Sequence, residues 1–319
     1  MEFTTLGRTG LRVSVAGLGC GGFSRLGLTA GLGENHAIGI IRAALDAGVN
    51  IIDTAAVYGT EDVVGKALRV VPRDKVIVCT KASKPAGDKS FSVDAIVQSL
   101  EGSLKRLALD YVDVFQLHAV PPAAYPFVRD EIAPALLRER EKGKFRFLGI
   151  TETAPNDHEQ QTVNRAAQDG IWDTAMLAFH LMNQVARTAV FPHSLANNIG
   201  TLMMFAVRSI FARPQQLSDT MKDLAAAGLV PAELTARDNP LDFLIHDGGA
   251  DSVTDAAYRY VRHEPGANVV LFGTGSIDHL RTNIASILKP PLPAEDLAKL
   301  RALFSHLRGV GLEAPPPRG

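Results

Sequence analysis

Eight predominantly apolar runs, at 16–19, 50–54, 76–81, 112–117, 145–151, 174–179, 201–207 and 268–273, alternate with stretches of helical periodicity. Runs that are continuously apolar, rather than alternating, mark strands covered on both faces, the condition of a parallel sheet. Parallel neighbours need crossovers of one hand, which leaves a doubly wound sheet or a closed barrel. The count and even spacing favour the barrel. The reading is therefore an α/β chain forming a single-domain (β/α)8 TIM barrel over 1–319.

The intervening stretches support this order. Ile38, Ile41 and Leu45 share one helical face, and Gly48 follows as a stop. Thr60 is placed to cap a helix with Glu61 and Asp62 in its first turn, Val64 and Leu68 facing inward, and Pro72 beyond its end. Val93, Ile96, Val97, Leu100, Leu104 and Leu107 have helical spacing, which predicts a helix over 92–107. An extra C-terminal helix is expected over 294–307, with a loose tail over about 308–319. Before the first run, 3–6 and 11–15 flank Gly7-Arg8-Thr9-Gly10 and predict a small hairpin closing the barrel floor.

Bulk properties exclude several roles. Lys+Arg number 33 and Asp+Glu 34, so the net charge of -1 gives no reason to expect nucleic acid or an anionic membrane as partner. No uncharged apolar stretch is long enough to span a bilayer, and the start of the chain carries no basic-then-apolar signal. Cys20 and Cys79 lie within or beside strands and read as small core residues of a cytoplasmic protein. Histidines and cysteines show no metal-binding spacing, so no metal is expected; His246 and His263 read as surface or packing residues.

Four ionisable residues sit at or just past the ends of three successive runs: Asp53 and Tyr58, Lys81, and His118. In a barrel of this kind, chemistry lies at the C-terminal ends of the strands, so all four open onto one rim. A free tyrosine, with a pKa of about 10, is a poor acid at neutral pH. A lysine ammonium beside it stabilises the phenolate, and an aspartate keeps that ammonium charged and aimed. A histidine can hydrogen-bond a carbonyl oxygen. The set suits protonation of a carbonyl oxygen while another group delivers a hydride. Separate ion pairs and a core histidine would explain each residue singly, but less readily the four together.

Two glycine clusters accompany them. Gly273-Thr274-Gly275-Ser276 follows the last run and enters a helix over 277–288, a geometry suited to an anion. An ordinary tight turn explains it equally well. Gly17-Leu18-Gly19-Cys20-Gly21-Gly22 fits the dinucleotide spacing, but the next helix begins only near Glu34. Those glycines read as room for the chain, or a ligand, to pass at the mouth.

The stretch Asn50-Ile51-Ile52-Asp53-Thr54-Ala55-Ala56-Val57-Tyr58-Gly59 resembles the signature of the aldo-keto reductases. Cys79-Thr80-Lys81, Phe115-Gln116-Leu117-His118 and Leu6-Gly7-Arg8-Thr9-Gly10-Leu11 resemble the same family, and the likeness runs from about Phe3 to Leu288. It implies NADP(H), less often NAD(H), as cofactor without a Rossmann domain. By position, Tyr58 would be the general acid/base, Lys81 and Asp53 would tune it, and His118 would orient the carbonyl. Thr151 and Glu152 stand where the family grips the nicotinamide carboxamide with Ser-Asn, and Met176 where a glutamine assists. Phe205 stands where an aromatic stacks on the nicotinamide ring; Thr274 and Asn283 stand at adenosine-phosphate and adenine positions.

Departures are informative. An ionised Glu152 only accepts hydrogen bonds, and Met176 cannot replace a glutamine's two-way bonding. His279 stands where NADPH-selective members often place Arg, and Gly273 where some place Lys, so discrimination between NADPH and NADH is expected to be modest. Phe23, Val57, Val120, Arg208 and Phe211 are expected to line a substrate mouth for an aldehyde, a ketone or a sugar. Arg208 would hold an anion or bond a carbonyl of its own loop. Two rival functions stand beside an NAD(P)H-dependent carbonyl reductase or alcohol dehydrogenase: a cofactor-binding regulatory or redox-sensing barrel without significant turnover, and a Schiff-base aldolase using Lys81.

Overall fold

Eight parallel strands close on themselves in a computed structural model that describes residues 1–82 and 92–312. The barrel strands are β3 (Ala16–Gly19), β4 (Ile51–Asp53), β5 (Ile77–Ala82), β6 (Val112–Val120), β7 (Phe145–Glu152), β8 (Thr174–Ala178), β9 (Gly200–Met204) and β10 (Val269–Phe272). Each pairs with its sequence neighbour, and β10 pairs with β3 to close the ring. Ahead of them, β1 (Phe3–Thr5) and β2 (Arg12–Ser14) form the expected antiparallel hairpin, in register from Phe3 with Ser14 to Thr5 with Arg12.

Strand periodicity divides the runs into two cores. Ile52, Val78, Phe115, Leu117, Leu177 and Met203 face the surrounding helices in one large cluster. The alternate residues Ile51, Ile77, Cys79, Val114, Met176, Leu202 and Val269 form the barrel's inner layer, floored by Leu6, Leu11 and Val13 from the hairpin. Two residues further along the same inward rows come Asp53, Lys81 and Gln116, and then His118. The rows thus pass from apolar at the floor to polar at the rim, which a count of hydrophobic residues along each run conceals.

The helices do what their spacing predicts, with one revision. Val93–Leu107 buries Ile96, Leu100 and Leu107, and Ser92 caps it by accepting from the Ala95 N–H at 3.2 Å. Thr60 occupies the cap position of Glu61–Leu68 but makes no side-chain cap bond; its hydroxyl meets that of Thr54 at 2.8 Å. The C-terminal helix is Ala294–Phe304. Residues 308–312, expected to be loose, instead turn back onto the barrel, and Leu312 is buried; the remainder of the expected tail lies outside the described residues. Among the described residues no helix is long and apolar enough to cross a membrane.

Candidate active site

Lys81 is wholly buried on β5, and its ammonium donates to Asp53 Oδ2 at 2.6 Å and to the Thr54 carbonyl at 2.9 Å. Gln116, inward-facing on β6, donates from Nε2 to the other Asp53 oxygen at 3.3 Å. The Lys81 Nζ lies 5.0 Å from the centre of the Tyr58 ring, and Tyr58 meets the His118 ring edge-on, centres 5.6 Å apart. The structure therefore brings Asp53, Tyr58, Lys81 and His118 together at one end of the barrel.

A pinned loop holds Tyr58. It ends a short turn, Ala56–Tyr58, followed by Gly59 in the left-handed region at φ 67°. On one side Thr54 gives its carbonyl to Lys81; on the other Glu61 is buried, accepts from the Thr80 hydroxyl at 2.5 Å and pairs with Arg106 at 2.7 Å. Both ends of the loop are thus tied to β5. Gly21 makes room for the ring: a Cβ there would lie 2.5 Å from Tyr58 Cε2. Part of the room expected from the 17–22 glycines is therefore taken by Tyr58.

Electrostatics refine the expectation for the four groups. Burial pulls the Lys81 ammonium down, but attraction to Asp53 and Tyr58 wins and its pKa is raised, so the lysine is charged. That state lacks the free amine an imine needs and removes support from the aldolase reading. Burial pushes the Asp53 carboxyl up, opposed by the Lys81 charge and by hydrogen bonds from Lys81 and Gln116. Tyr58 departs from the expected direction. Burial raises its pKa more than Lys81 lowers it, so the phenol stays protonated across neutral pH. His118 is pushed down to about 3 by burial and then by the Lys81 charge, so its imidazole is neutral.

The remaining expected residues divide into groups. Thr151 lies beside the turn after His118: its hydroxyl accepts from the Ala119 N–H at 2.7 Å. Glu152 is buried, with Oε1 accepting from the Ala178 N–H at 2.5 Å and from Gln160 Nε2 at 3.4 Å. Its Oε2 has no partner among the described residues, and burial raises the pKa to about 8. The group is mostly protonated at pH 7 and can donate as well as accept, which revises the acceptor-only expectation. Met176 packs in the inner apolar layer with Val114 and Leu202. Phe205 is half-buried in a left-handed backbone conformation at φ 68°, with the Arg208 guanidinium 4.0 Å from its ring centre.

Gly275, Ser276 and His279 line a groove of about 360 Å³ with Phe23, Ser24, Gly27, Thr29, Ala30 and Leu32. Ser276 caps the helix Ile277–Ile287 by accepting from the His279 N–H, and Thr274 Oγ1 accepts from the Ser276 N–H at 3.0 Å. Gly273 and His279 are exposed, and Asn283 is half-buried one turn beyond His279. Gly275 packs on the 23–32 loop, where a Cβ would lie 2.7 Å from Gly27 backbone, and its carbonyl bonds His36 Nε2 at 2.7 Å.

Of the expected mouth residues, Phe23 and Val57 are each 49% exposed. Arg208 stands between Phe23, 5.6 Å from its ring centre, and Phe205, with Nε donating to the Gly311 carbonyl at 3.2 Å. Two expectations are corrected. Val120 is fully buried in the outer core, because Ala119 at φ 52° and a register shift between Leu117 and Val120 turn it away from the mouth. Phe211 is also buried, packed edge-on to His180 at 5.2 Å, because the helix Ser209–Ala212 directs it into the core. Sequence reasoning gave Gln116, Thr54 and Glu61 no part in the site, and read Gly21 only as room at the mouth. Gln116 alone carried a readable signal, two residues before His118 on the same inward row. Among the described residues, no three His, Cys, Asp or Glu gather as metal ligands.

Several known proteins are similar to all or part of this chain. A chain of Bacillus subtilis (strain 168), aldo-keto reductase YhdN, is 29% identical over all of this chain and 99% of its own length. L-galactose dehydrogenase of Arabidopsis thaliana is 38% identical over 47% of this chain and 48% of its own. A crystal structure of a Pseudomonas aeruginosa protein superposes with a TM-score of 0.64 at 23% identity, covering 89% of this chain and 93% of its own, and supports the fold. The family model described as "Aldo/keto reductase family" matches residues 17–304, so the chain belongs to the aldo-keto reductases, a family of oxidoreductases.

Proposed function

We propose that this chain is an NAD(P)H-dependent reductase or dehydrogenase that interconverts a small carbonyl compound and its alcohol, with Tyr58 as general acid/base. The observation that carries the reading is the placement of a charged, buried Lys81 between Asp53 at 2.6 Å and the Tyr58 ring at 5.0 Å. Such a lysine opposes the burial of the phenol and stabilises the phenolate as its proton leaves. In the reducing direction, Tyr58 gives its proton to the carbonyl oxygen. Neutral His118 orients that oxygen by hydrogen bonding without competing for the proton. In the oxidising direction the proton returns to Tyr58.

A bound nicotinamide would supply or accept the hydride. The residues present fit such a group at both ends. Glu152 offers an unpartnered carboxyl oxygen, buried and mostly protonated, that suits an amide. Thr151, Met176 and Phe205 complete that end in this proposal. The groove lined by Gly275, Ser276 and His279 suits the adenosine phosphate, and this proposal assigns Gly273, Thr274 and Asn283, from the same loop and helix, to that end as well. NADP(H) is the proposed cofactor, with NAD(H) as the alternative. The name of the Arabidopsis relative puts a sugar first among the aldehydes, ketones and sugars to be tried. A cytoplasmic place of action accords with two buried free cysteines.

Tyr58→Phe tests the assignment. Turnover should fall by about two orders of magnitude or more, the scale of a lost general acid. Binding of the dinucleotide, followed by its fluorescence, should hardly change. Near-normal turnover in this variant would remove Tyr58 from the mechanism.

A further inference from the structure

The last described residues fold onto the rim to which the proposed function assigns the nicotinamide. Gly309 and Gly311 both adopt left-handed conformations at φ 70°, and the Leu312 N–H donates to the Gly309 carbonyl at 3.2 Å, so the chain makes a tight reverse turn. The turn is held at several points. Its Gly311 carbonyl accepts from Arg208 Nε at 3.2 Å. Gly311 itself lies so close to the barrel that a Cβ would stand 3.1 Å from Ile210 Cγ2 and 3.5 Å from the His180 ring. Gly309 is closer still to its neighbour: a Cβ there would stand 2.5 Å from His158 Nδ1.

The turn delivers Leu312 into an apolar recess. Its side chain clusters with Ala154, just past β7, and with Ala178 at the end of β8; Met204 and Phe205, at the end of β9, pack against the group. Only 1% of Leu312 is exposed. Two alanines leave the space that a leucine fills. Phe205 thus packs against the cluster that holds Leu312, while the Arg208 guanidinium lies 4.0 Å from its ring centre. A flat aromatic ring stacking on Phe205 would have to share that ring with the Arg208 guanidinium and the Leu312 cluster.

We propose that residues 309–312 act as an intrasteric plug, with Leu312 occupying the place of the nicotinamide ring, so that the dinucleotide binds only as this turn is displaced. The inference rests on the reading of this rim as a nicotinamide site. Its consequence is a reduction of apparent affinity by the fraction of molecules in which the turn is out. Relief of the plug tightens the dinucleotide without any new contact to it.

Binding is the appropriate readout. NADPH and NADH are titrated, by calorimetry or by dinucleotide fluorescence, into the wild-type full chain, Leu312→Ala and Gly311→Ala. Leu312→Ala removes most of the plugging side chain, and Gly311→Ala strains the left-handed turn. Both variants should bind the dinucleotide more tightly, Leu312→Ala by roughly 10-fold, the scale of one buried leucine. Hydrogen exchange on the wild-type chain gives a second measure that needs no variant. Saturating NADPH should speed exchange of the 309–312 amides. Equal or weaker binding by both variants, or slower exchange with NADPH, overturns the plug, the second result making the turn a clamp over the cofactor. Absence of dinucleotide binding in all three proteins overturns the nicotinamide site itself. The two failures are thus told apart by whether any of the three proteins binds.

Discussion

Replacing Asp53 by Asn leaves the shape of the site and removes one charge. Lys81 is fully buried and Asp53 is 3% exposed, so the lost partner cannot be replaced by bulk water. Removing one member of a buried pair costs about 3–5 kcal/mol, because the other charge remains desolvated. An independent bound gives the same scale. Lys81 can escape by losing its proton, and from an ordinary lysine pKa of about 10.4 that costs roughly 4.6 kcal/mol at pH 7, so the loss cannot much exceed it. The asparagine amide gives little back: one Asp53 oxygen accepts from Lys81 and the other from Gln116, so a new donor faces donors on either side. Urea unfolding at pH 7 should show a loss of about 3–5 kcal/mol for Asp53→Asn. If Lys81 escapes by deprotonation, its folded pKa is depressed and the unfolded state binds more protons. The deficit should then shrink by up to about 1.4 kcal/mol per pH unit as pH rises from 8 towards 10. Adding Lys81→Met should recover much of the loss, giving a coupling of about 2 kcal/mol or more. A loss under about 1 kcal/mol, or additive single and double variants, would refute the claim that this buried pair acts as one unit.

Gly21→Ala should destabilise the fold by about 1–3 kcal/mol and lower turnover, since its Cβ would lie 2.5 Å from the Tyr58 ring; unfolding midpoints and kcat measure both, and a neutral result would show that the ring yields freely. Glu152 has a folded pKa raised to about 8, so the folded state holds a proton that the unfolded state releases near the ordinary value of about 4.3. The wild type should therefore lose stability relative to Glu152→Gln as pH rises from about 5 to 8, by a few kcal/mol in urea midpoints compared across pH; parallel profiles would place the carboxyl in a wetter setting. His279→Arg should tighten NADPH by about 1–3 kcal/mol and leave NADH nearly unaffected, given that His279 lines the groove beside Ser276; an equal change in both would put the 2′-phosphate elsewhere.

The barrel was legible because its evidence is local. Continuous apolar runs separated by helical periodicity need only neighbouring residues to be read, and eight of them closed as expected. Asp53, Lys81 and His118 were legible for a related reason: each extends an inward row of its own strand, so period two alone carries it to the rim. Other features required the chain to be closed. Whether Tyr58 is a better or poorer acid than free tyrosine depends on a balance between burial and the Lys81 charge, and burial wins only once the barrel surrounds it. Glu152 reads as an ionised acceptor along the chain, but becomes a mostly neutral acid because burial without a counter-charge outweighs the Ala178 N–H and Gln160 hydrogen bonds, which favour the anion. Val120 left the mouth through a single left-handed residue, Ala119, which no apolar pattern announces. Leu312 joined the rim through two left-handed glycines in a stretch whose composition suggested a tail. Period and polarity along the chain therefore determined the architecture and the polar rim. Tertiary structure decided protonation, exposure and what fills the recess at Ala178, because those depend on desolvation and on contacts between residues far apart in sequence.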